Sequence, residues 1–154
     1  MKYIISILIA ISSLSLFSQE IREDGLVYFE GKLFTGTFTE KHSDGESIKS
    51  ILIVRNGQPQ GKSQHYYSNG TLKEIRSYKN AQKHGKWLKY NEKGKLVSSA
   101  TYKNNLKHGH WKVWDDNGQI RYSLSYKNGE KTGTWKMYNE NGELTEIKKY
   151  KTSE

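Results

Sequence analysis

Three histidines are the side chains of this sequence whose type and spacing first suggest chemistry. His84 and His108 lie 24 residues apart, and His110 follows two positions later. Imidazole nitrogens are common zinc ligands, so a set of histidines that converged in space could hold a metal ion. Whether these three converge depends on the elements that carry them.

Close carboxylates are the second candidate, because pairs of acids can act as general acid and base. Asp115 and Asp116 are adjacent, and Glu140 and Glu143 are near neighbours. Both pairs fall beside glycine turns in lysine-rich surroundings, whereas catalytic acids need two distinct environments. The sequence contains no cysteine, no phosphate-binding glycine loop leading into a helix, and no recognisable serine–histidine–acid motif. We therefore predict that the protein is not an enzyme and that it carries no metal or cofactor.

A block of 24 residues recurs four times, and the fold of this repeat determines which of these side chains can lie close together. A glycine opens each copy, namely Gly61, Gly85, Gly109 and Gly133. A second glycine follows nine residues later, at Gly70, Gly94, Gly118 and Gly142. The tryptophan two residues after the opening glycine is Trp87, Trp111 or Trp135, and Ser63 replaces it in the first copy. A tyrosine followed by lysine lies in the second half, at Tyr78, Tyr102, Tyr126 and Tyr150.

These offsets divide the chain into three parts. Residues 1–18 have an early lysine and an apolar, serine-containing run, which predicts a secretory signal peptide and an exported protein, periplasmic or secreted. Residues 19–60 contain a half-copy and a longer, weaker copy, and we interpret them as irregular N-terminal capping repeats. The regular copies span 61–84, 85–108, 109–132 and 133–154.

Each copy has the two turn signals and two short extended runs of a β-hairpin. In the second copy, Lys86 to Tyr90 and Leu96 to Tyr102 flank a turn that ends at Gly94, where a residue without Cβ reaches positive φ at no steric cost. No segment has helical apolar spacing. Short connections can only place each new strand beside the last. We therefore predict an all-β fold: an elongated antiparallel meander of hairpins forming a single-layer twisted sheet.

The meander predicts which aromatic rings meet. Corresponding residues of adjacent copies lie roughly 10 Å apart, too far for the tryptophans to contact one another. A tyrosine and a tryptophan nine residues apart lie across a short loop, so we expect three cross-strand pairs, Tyr78–Trp87, Tyr102–Trp111 and Tyr126–Trp135.

The same 10 Å spacing argues against metal binding by His84 and His108, because zinc holds imidazole nitrogens at about 2.0–2.1 Å. We interpret them as turn residues that donate to loop carbonyls.

A second aromatic set lies three residues after the tryptophan position, on the opposite face of a regular strand. These rings are candidate partner contacts: Tyr66, Tyr90, Trp114 and Tyr138. Alternating lysines and rings could also bind single-stranded nucleic acid, but we do not expect that partner for an exported protein.

Charge is uneven along the chain. Residues 61–154 carry 19 Lys and Arg against 9 Asp and Glu, whereas residues 19–60 carry 5 against 7. The regular copies therefore suit acidic partners.

The motif Gly-x-Trp-x-x-Tyr-x-x-x-Gly-x-Leu followed by Tyr-Lys-Asn, at Gly85 to Leu96 and Tyr102 to Asn104, resembles the bacterial variant of the MORN repeat. Proteins of this architecture are commonly labelled antitoxins of the YwqK family. The resemblance implies an antitoxin or immunity role, and it offers no catalytic residues to transfer.

Two functions remain open. The sheet could be a scaffold that binds an unknown protein partner, such as a toxin in the cell envelope. Alternatively, related MORN repeats suggest that the basic copies adsorb to anionic membrane lipid or acidic glycan. The sequence leaves open which face binds.

Overall fold

The computed structural model describes residues 19–151, so the predicted signal peptide lies outside the described residues. Short runs rich in β-branched and aromatic residues alternate with glycine turns, and each run forms a strand. Three strands precede the regular pattern, β1 (Gln19–Ile21), β2 (Val27–Phe29) and β3 (Lys32–Leu33). The others are β4 (Gly36–Lys41), β5 (Ile48–Arg55), β6 (Gln58–Pro59), β7 (Gly61–Tyr66), β8 (Leu72–Lys79), β9 (Gln82–Lys83), β10 (Gly85–Tyr90), β11 (Leu96–Lys103), β12 (Leu106–Lys107), β13 (Gly109–Trp114), β14 (Ile120–Lys127), β15 (Glu130–Lys131), β16 (Gly133–Tyr138) and β17 (Leu144–Tyr150).

The long strands form one open antiparallel sheet in the order β4-β5-β7-β8-β10-β11-β13-β14-β16-β17. Each neighbour in the sheet is the next long strand in the chain, which confirms the predicted meander. β1, β2 and β3 form a separate three-stranded sheet at the N-terminal end. No helix is present in residues 19–151, and that part of the chain therefore contains no helix able to cross a membrane.

Turns of two kinds join the strands. The turn of the second regular copy ends at Gly94, whose φ of 75° confirms the expected left-handed residue. In the turns at the opposite ends of the long strands, two consecutive residues adopt positive φ, as Asn104 (50°) and Asn105 (67°) do. This is the type I′ geometry that suits a two-residue hairpin.

These type I′ turns change one expectation. The short loop predicted between Tyr102 and Trp111 contains a further strand, because Leu106 and Lys107 form β12 and pair with β11. β6, β9 and β15 repeat this arrangement in the other copies. Each copy therefore folds back on itself within two residues, and the short strand pairs with the long strand before it.

The register gives the sheet two distinct faces, because paired residues of antiparallel strands point to the same side. We call the side that carries Trp87, Trp111 and Trp135 the ladder face. The other side, the lysine face, carries Lys86 opposite Thr101, and Lys112 opposite both Ser99 and Ser123. Lys136 joins the same row through its pairing with Ser123.

The apolar core of the N-terminal region is small. Val27, Phe38 and Val54 are 2%, 5% and 2% exposed, and Phe34 and Leu52 pack against them. The hairpin of β2 and β3 is fastened to the sheet through backbone bonds at Gly57, whose N–H donates to Phe34 and whose carbonyl accepts from Val27. The N-terminal end of the long sheet is therefore covered by apolar side chains.

Candidate binding surfaces

Seven rings form a continuous ladder across the regular copies. The three pairs predicted from the nine-residue offset are present, with centroids 5.5, 5.1 and 5.2 Å apart. Three further pairs form within hairpins at 4.9 to 5.3 Å. Each pair contributes about 0.5–1.5 kcal/mol beyond the area that it buries. In chain order, the ladder is Tyr78, Trp87, Tyr102, Trp111, Tyr126, Trp135 and Tyr150.

The indole nitrogens of the ladder are hydrogen-bonded within the sheet. Each tryptophan Nε1 donates to a backbone carbonyl of the preceding strand, as Trp111 does to Thr101 at 2.9 Å. Trp87 and Trp135 make the equivalent bonds at 3.0 and 2.9 Å. An indole fixed at its nitrogen and flanked by tyrosines has a single orientation. The tryptophans are thus placed to brace neighbouring copies.

Three lysines of the short strands cover the ladder, and the sequence analysis did not identify them. Lys107 Nζ lies 4.8 Å from the Trp111 ring centroid and 4.9 Å from that of Tyr126. Lys83 and Lys131 repeat this arrangement on the rings of the 24-residue copy that follows each of them. A cation over a ring contributes about 0.5–1 kcal/mol at an exposed site. Their signal was available, because lysine recurs here at 24-residue spacing wherever the tryptophan is present, while Pro59 accompanies Ser63.

Burial also changes the pKa of two tyrosines of the ladder. Desolvation raises the pKa of the Tyr102 phenol above its usual value of 10.0. Desolvation likewise raises the pKa of Tyr126, and the nearby Lys131 opposes that effect. Both phenols therefore stay neutral to a higher pH than an unburied tyrosine does.

The second aromatic set occupies the ends of the first strands, next to a β-bulge. In each regular hairpin the register shifts immediately before this ring, as between Lys89 and Tyr90, and leaves Val97 without an opposite residue. The extra residue lies in the second strand, whereas the first strand pairs through consecutive residues from Gly85 to Tyr90. In the described part of the chain, the rings of Tyr66, Tyr90, Trp114 and Tyr138 are partly buried and belong to none of the ring pairs. Their role as partner contacts stays a prediction.

A polar cluster replaces the ladder in the first regular copy. Ser63, in the tryptophan position, is 2% exposed, and its Oγ lies 3.3 Å from His65 Nε2. Ser50 is 1% exposed and donates to Glu40 at 3.1 Å. Desolvation, followed by the Arg76 guanidinium, lowers the pKa of His65. Because the Ser63 hydroxyl is buried, this serine–histidine contact is not presented to a substrate.

The other histidines serve the turns, although not as expected. His84 Nδ1 lies 3.1 Å from the side-chain oxygen of Asn104, and His108 Nδ1 accepts from the backbone N–H of Asn128 at 3.4 Å. Their partners belong to the type I′ turn of the next copy, and they are not backbone carbonyls. In residues 19–151 no group of three or more histidine, cysteine or acidic side chains is placed to hold a metal ion.

On the lysine face, a broad shallow cavity of about 640 Å³ extends over two copies. Lys86, His110 and Lys112 line it together with the hydroxyls of Ser99 and Thr101. The arrangement offers cations and hydrogen-bond donors at the spacing of the sheet, and it can attract anions.

Four segments of the chain, 59–80, 83–104, 107–128 and 131–152, match the MORN repeat variant family. Together they cover more than half of the sequence. Each match begins at the short-strand position of Pro59, Lys83, Lys107 or Lys131, so the covering lysine and its tryptophan share one repeat. No curated protein matches the chain. Repeats of this kind are generally non-catalytic scaffolds that mediate protein or lipid interactions. The chain therefore belongs to the MORN repeat variant family and is a repeat scaffold of tandem β-hairpins.

Proposed function

We propose that this scaffold binds a protein partner in the cell envelope, in the manner of an antitoxin or immunity protein. The observation that carries the proposal is the division of aromatic rings into two sets. The ladder is bonded within the sheet, whereas the second set lies at the strand ends outside the ring pairs. Rings of this kind are typical anchors of protein interfaces.

An envelope location follows from the signal peptide predicted for residues 1–18 and remains part of the proposal. An excess of ten positive charges over residues 61–154 would favour an acidic partner and speed its association.

Affinity capture from envelope extract tests the proposal. The full chain is compared with Trp114→Ala and Tyr138→Ala, which remove two rings of the second set, and with Lys112→Gln as a control on the lysine face. We expect a partner that is retained at raised salt by the wild-type chain and by Lys112→Gln, and lost by both ring variants. Equal capture by all four proteins would exclude the second aromatic set as the contact.

Adsorption to anionic lipid or acidic glycan is a second candidate, and the cavity lined by Lys86 and Lys112 supports it. Diffuse attraction of this kind weakens as the Debye length falls from about 10 Å at 0.1 M salt to about 3 Å at 1 M. Vesicles of neutral and of anionic lipid distinguish the candidates. Retention on anionic vesicles alone, abolished by salt and by Lys86→Gln with Lys112→Gln, would favour this second function; equal retention on both kinds of vesicle would reject it.

A further inference from the structure

A recess of about 290 Å³ opens on the ladder face between the second and third regular copies. Trp87, Tyr102 and Trp111 form its walls, and Ala100 and Ser98 lie between them. The ring centroid of Tyr102 is 5.2 Å from that of Trp87 and 5.1 Å from that of Trp111, so the three rings form an arc around the small residues.

Small side chains create this recess. Ala100 pairs with Trp87, and the residues at the equivalent position of the neighbouring hairpins are Arg76 and Leu124. Two positions earlier, Ser98 stands where the neighbouring copies have Glu74 and Tyr122. The second copy therefore lacks the bulk that fills this row elsewhere.

The rings beside the small residues are more exposed than the rings that follow Leu124. Tyr126 and Trp135, which follow Leu124 along the ladder, are 9% and 7% exposed. The three rings around Ala100 are only partly buried. The two rings that follow Leu124 are thus covered, whereas the rings that surround Ala100 are partly accessible.

Positive charge surrounds the recess. Arg76 and Lys89 line it, and Lys83 and Lys107 lie 4.8 Å from the centroids of Trp87 and Trp111. One carboxylate, Glu74, also lines it, and this group is bonded to Arg76 at 2.6 Å. The surroundings thus favour a ligand that carries negative charge beside an apolar group.

We propose that this recess is the anchor site for one aromatic side chain within an acidic segment of a partner protein. The inference rests on the proposed function as a protein-binding scaffold. The volume of the recess, about 290 Å³, is close to the lower limit of the range for ligand cavities, about 300–1,000 Å³. A recess of this size suits a single side chain. The partner's aromatic ring packs between the side chains of Trp87, Tyr102 and Trp111. The carboxylates that flank it in the partner contact Arg76 and Lys89.

Alanine-methyl NMR of the full chain provides a direct test, because the sequence contains only Ala10, Ala81 and Ala100. The probe is acetyl-Asp-Phe-Asp-amide, compared with acetyl-Asp-Gly-Asp-amide, which lacks the ring, and acetyl-Asn-Phe-Asn-amide, which lacks the charges. We expect ring-current shifts at the Ala100 methyl and none at Ala81, which lies in a type I′ turn. Both control peptides should bind at least about tenfold more weakly, a loss of about 1.4 kcal/mol.

Two variants test whether the peptide binds in the recess and not elsewhere on the sheet. Ala100→Leu introduces the residue that the third copy has at this position, and it should weaken binding of the acidic phenylalanine peptide at least about tenfold. Lys89→Gln should weaken the acidic peptide but not the asparagine version, and it leaves the recess open. Leu124→Ala is the matched control, because it removes bulk on the opposite side of Trp111 from Ala100 and should leave the shift of Ala100 in place.

Unchanged binding by Ala100→Leu, or equal binding of the glycine peptide, would overturn the anchor site. So would a shift of the Ala100 methyl by N-acetylglucosamine without one by the acidic peptide, which would indicate a sugar ligand. If a captured partner still depends on Trp114 and Tyr138 in those cases, the proposed scaffold function stands and the anchor site alone fails.

Discussion

The two ends of the sheet build the same hairpin but stabilise it differently. At the N-terminal end, Val27, Phe38 and Val54 form a small core in which each side chain is 5% exposed or less. From Tyr78 to Tyr150, mostly half-buried rings contact one another in series, and lysines cover them. A single-layer sheet can therefore gain stability from a compact core at one end or from a one-dimensional ladder along its length. The ladder couples each copy to its neighbours, as expected of repeat proteins.

The boundary between the two regions is the first regular copy. Ser63 replaces tryptophan there and Pro59 replaces the covering lysine, so the ladder starts only at Tyr78. Ser63, His65, Ser50 and Glu40 fill the position with polar contacts instead. This polar cluster marks where stabilisation by burial gives way to stabilisation by ring contacts.

Removal of a central ring should have the largest effect. Trp111→Ala deletes contacts with Tyr102 and Tyr126 and the bond to the Thr101 carbonyl. We expect the free energy of unfolding to fall by about 3 kcal/mol. Chemical denaturation measures it, with Trp114→Phe as a control outside the ladder. A loss below about 1 kcal/mol, the level of a typical single mutation, would mean that the ring contacts do not stabilise the sheet.

The covering lysines should contribute less. Lys107→Met keeps an apolar stem over Trp111 and Tyr126 and removes the charge, so we expect a loss of about 1 kcal/mol. Lys112→Met, on the lysine face, is the matched control and should change the stability by no more than about 0.5 kcal/mol. Equal effects of the two variants in parallel denaturation curves would show that the cation over the rings has no specific role.

The ring ladder and the polar cluster at the boundary should respond to opposite extremes of pH. The raised pKa of Tyr102 and Tyr126 favours their neutral form in the fold, so their contribution is complete below pH 10.0 and is lost as pH rises through the folded pKa. The lowered pKa of His65 gives a contribution that is complete above pH 6.5 and is lost as pH falls through the folded pKa.

Amide hydrogen exchange at several pH values checks this contrast. Alkali should first reduce protection in β11 and β14, and acid in β7. Tyr102→Phe with Tyr126→Phe should remove the alkaline effect and leave the acid effect unchanged. Loss of protection in all three strands at the same pH would contradict the assignment.

The smallest effect concerns a turn. Ala81 adopts a φ of 60° at the position where the next copies have Asn105 and Gly129. An L-residue other than glycine or asparagine is strained there, so Ala81→Gly should raise the free energy of unfolding by about 0.5 kcal/mol. Asn105→Gly should have the opposite sign in thermal denaturation, because the Asn105 side chain accepts a bond from the Lys83 N–H at 2.9 Å. Destabilisation by Ala81→Gly would show that this turn is not strained.

Much of the fold could be predicted because the repeat makes its geometry explicit. The nine-residue offset from Tyr102 to Trp111, together with a short connection, allows only one pairing of those rings. The short strand at Leu106 and Lys107 could not be predicted in the same way, since two residues carry no alternation and the Asn-Asn turn is only a weak hairpin signal. The β-bulge that leaves Val97 without an opposite residue was not predicted either.

The recess at Ala100 shows a different limit. A substitution from a large to a small residue is visible in the sequence, but it creates a cavity only if both neighbouring tryptophans stay in place. That condition depends on the bonds from Trp87 and Trp111 to the backbone, which are apparent only in three dimensions.

Hydrogen exchange of the full chain carrying Trp111→Leu tests most directly whether the ring ladder couples the copies. We predict that protection falls not only in β13 and β14 but also in the flanking hairpins, β10 with β11 and β16 with β17, while β4 and β5 keep wild-type protection. Loss confined to β13 and β14, or an equal loss in β4 and β5, would contradict coupling through the ladder.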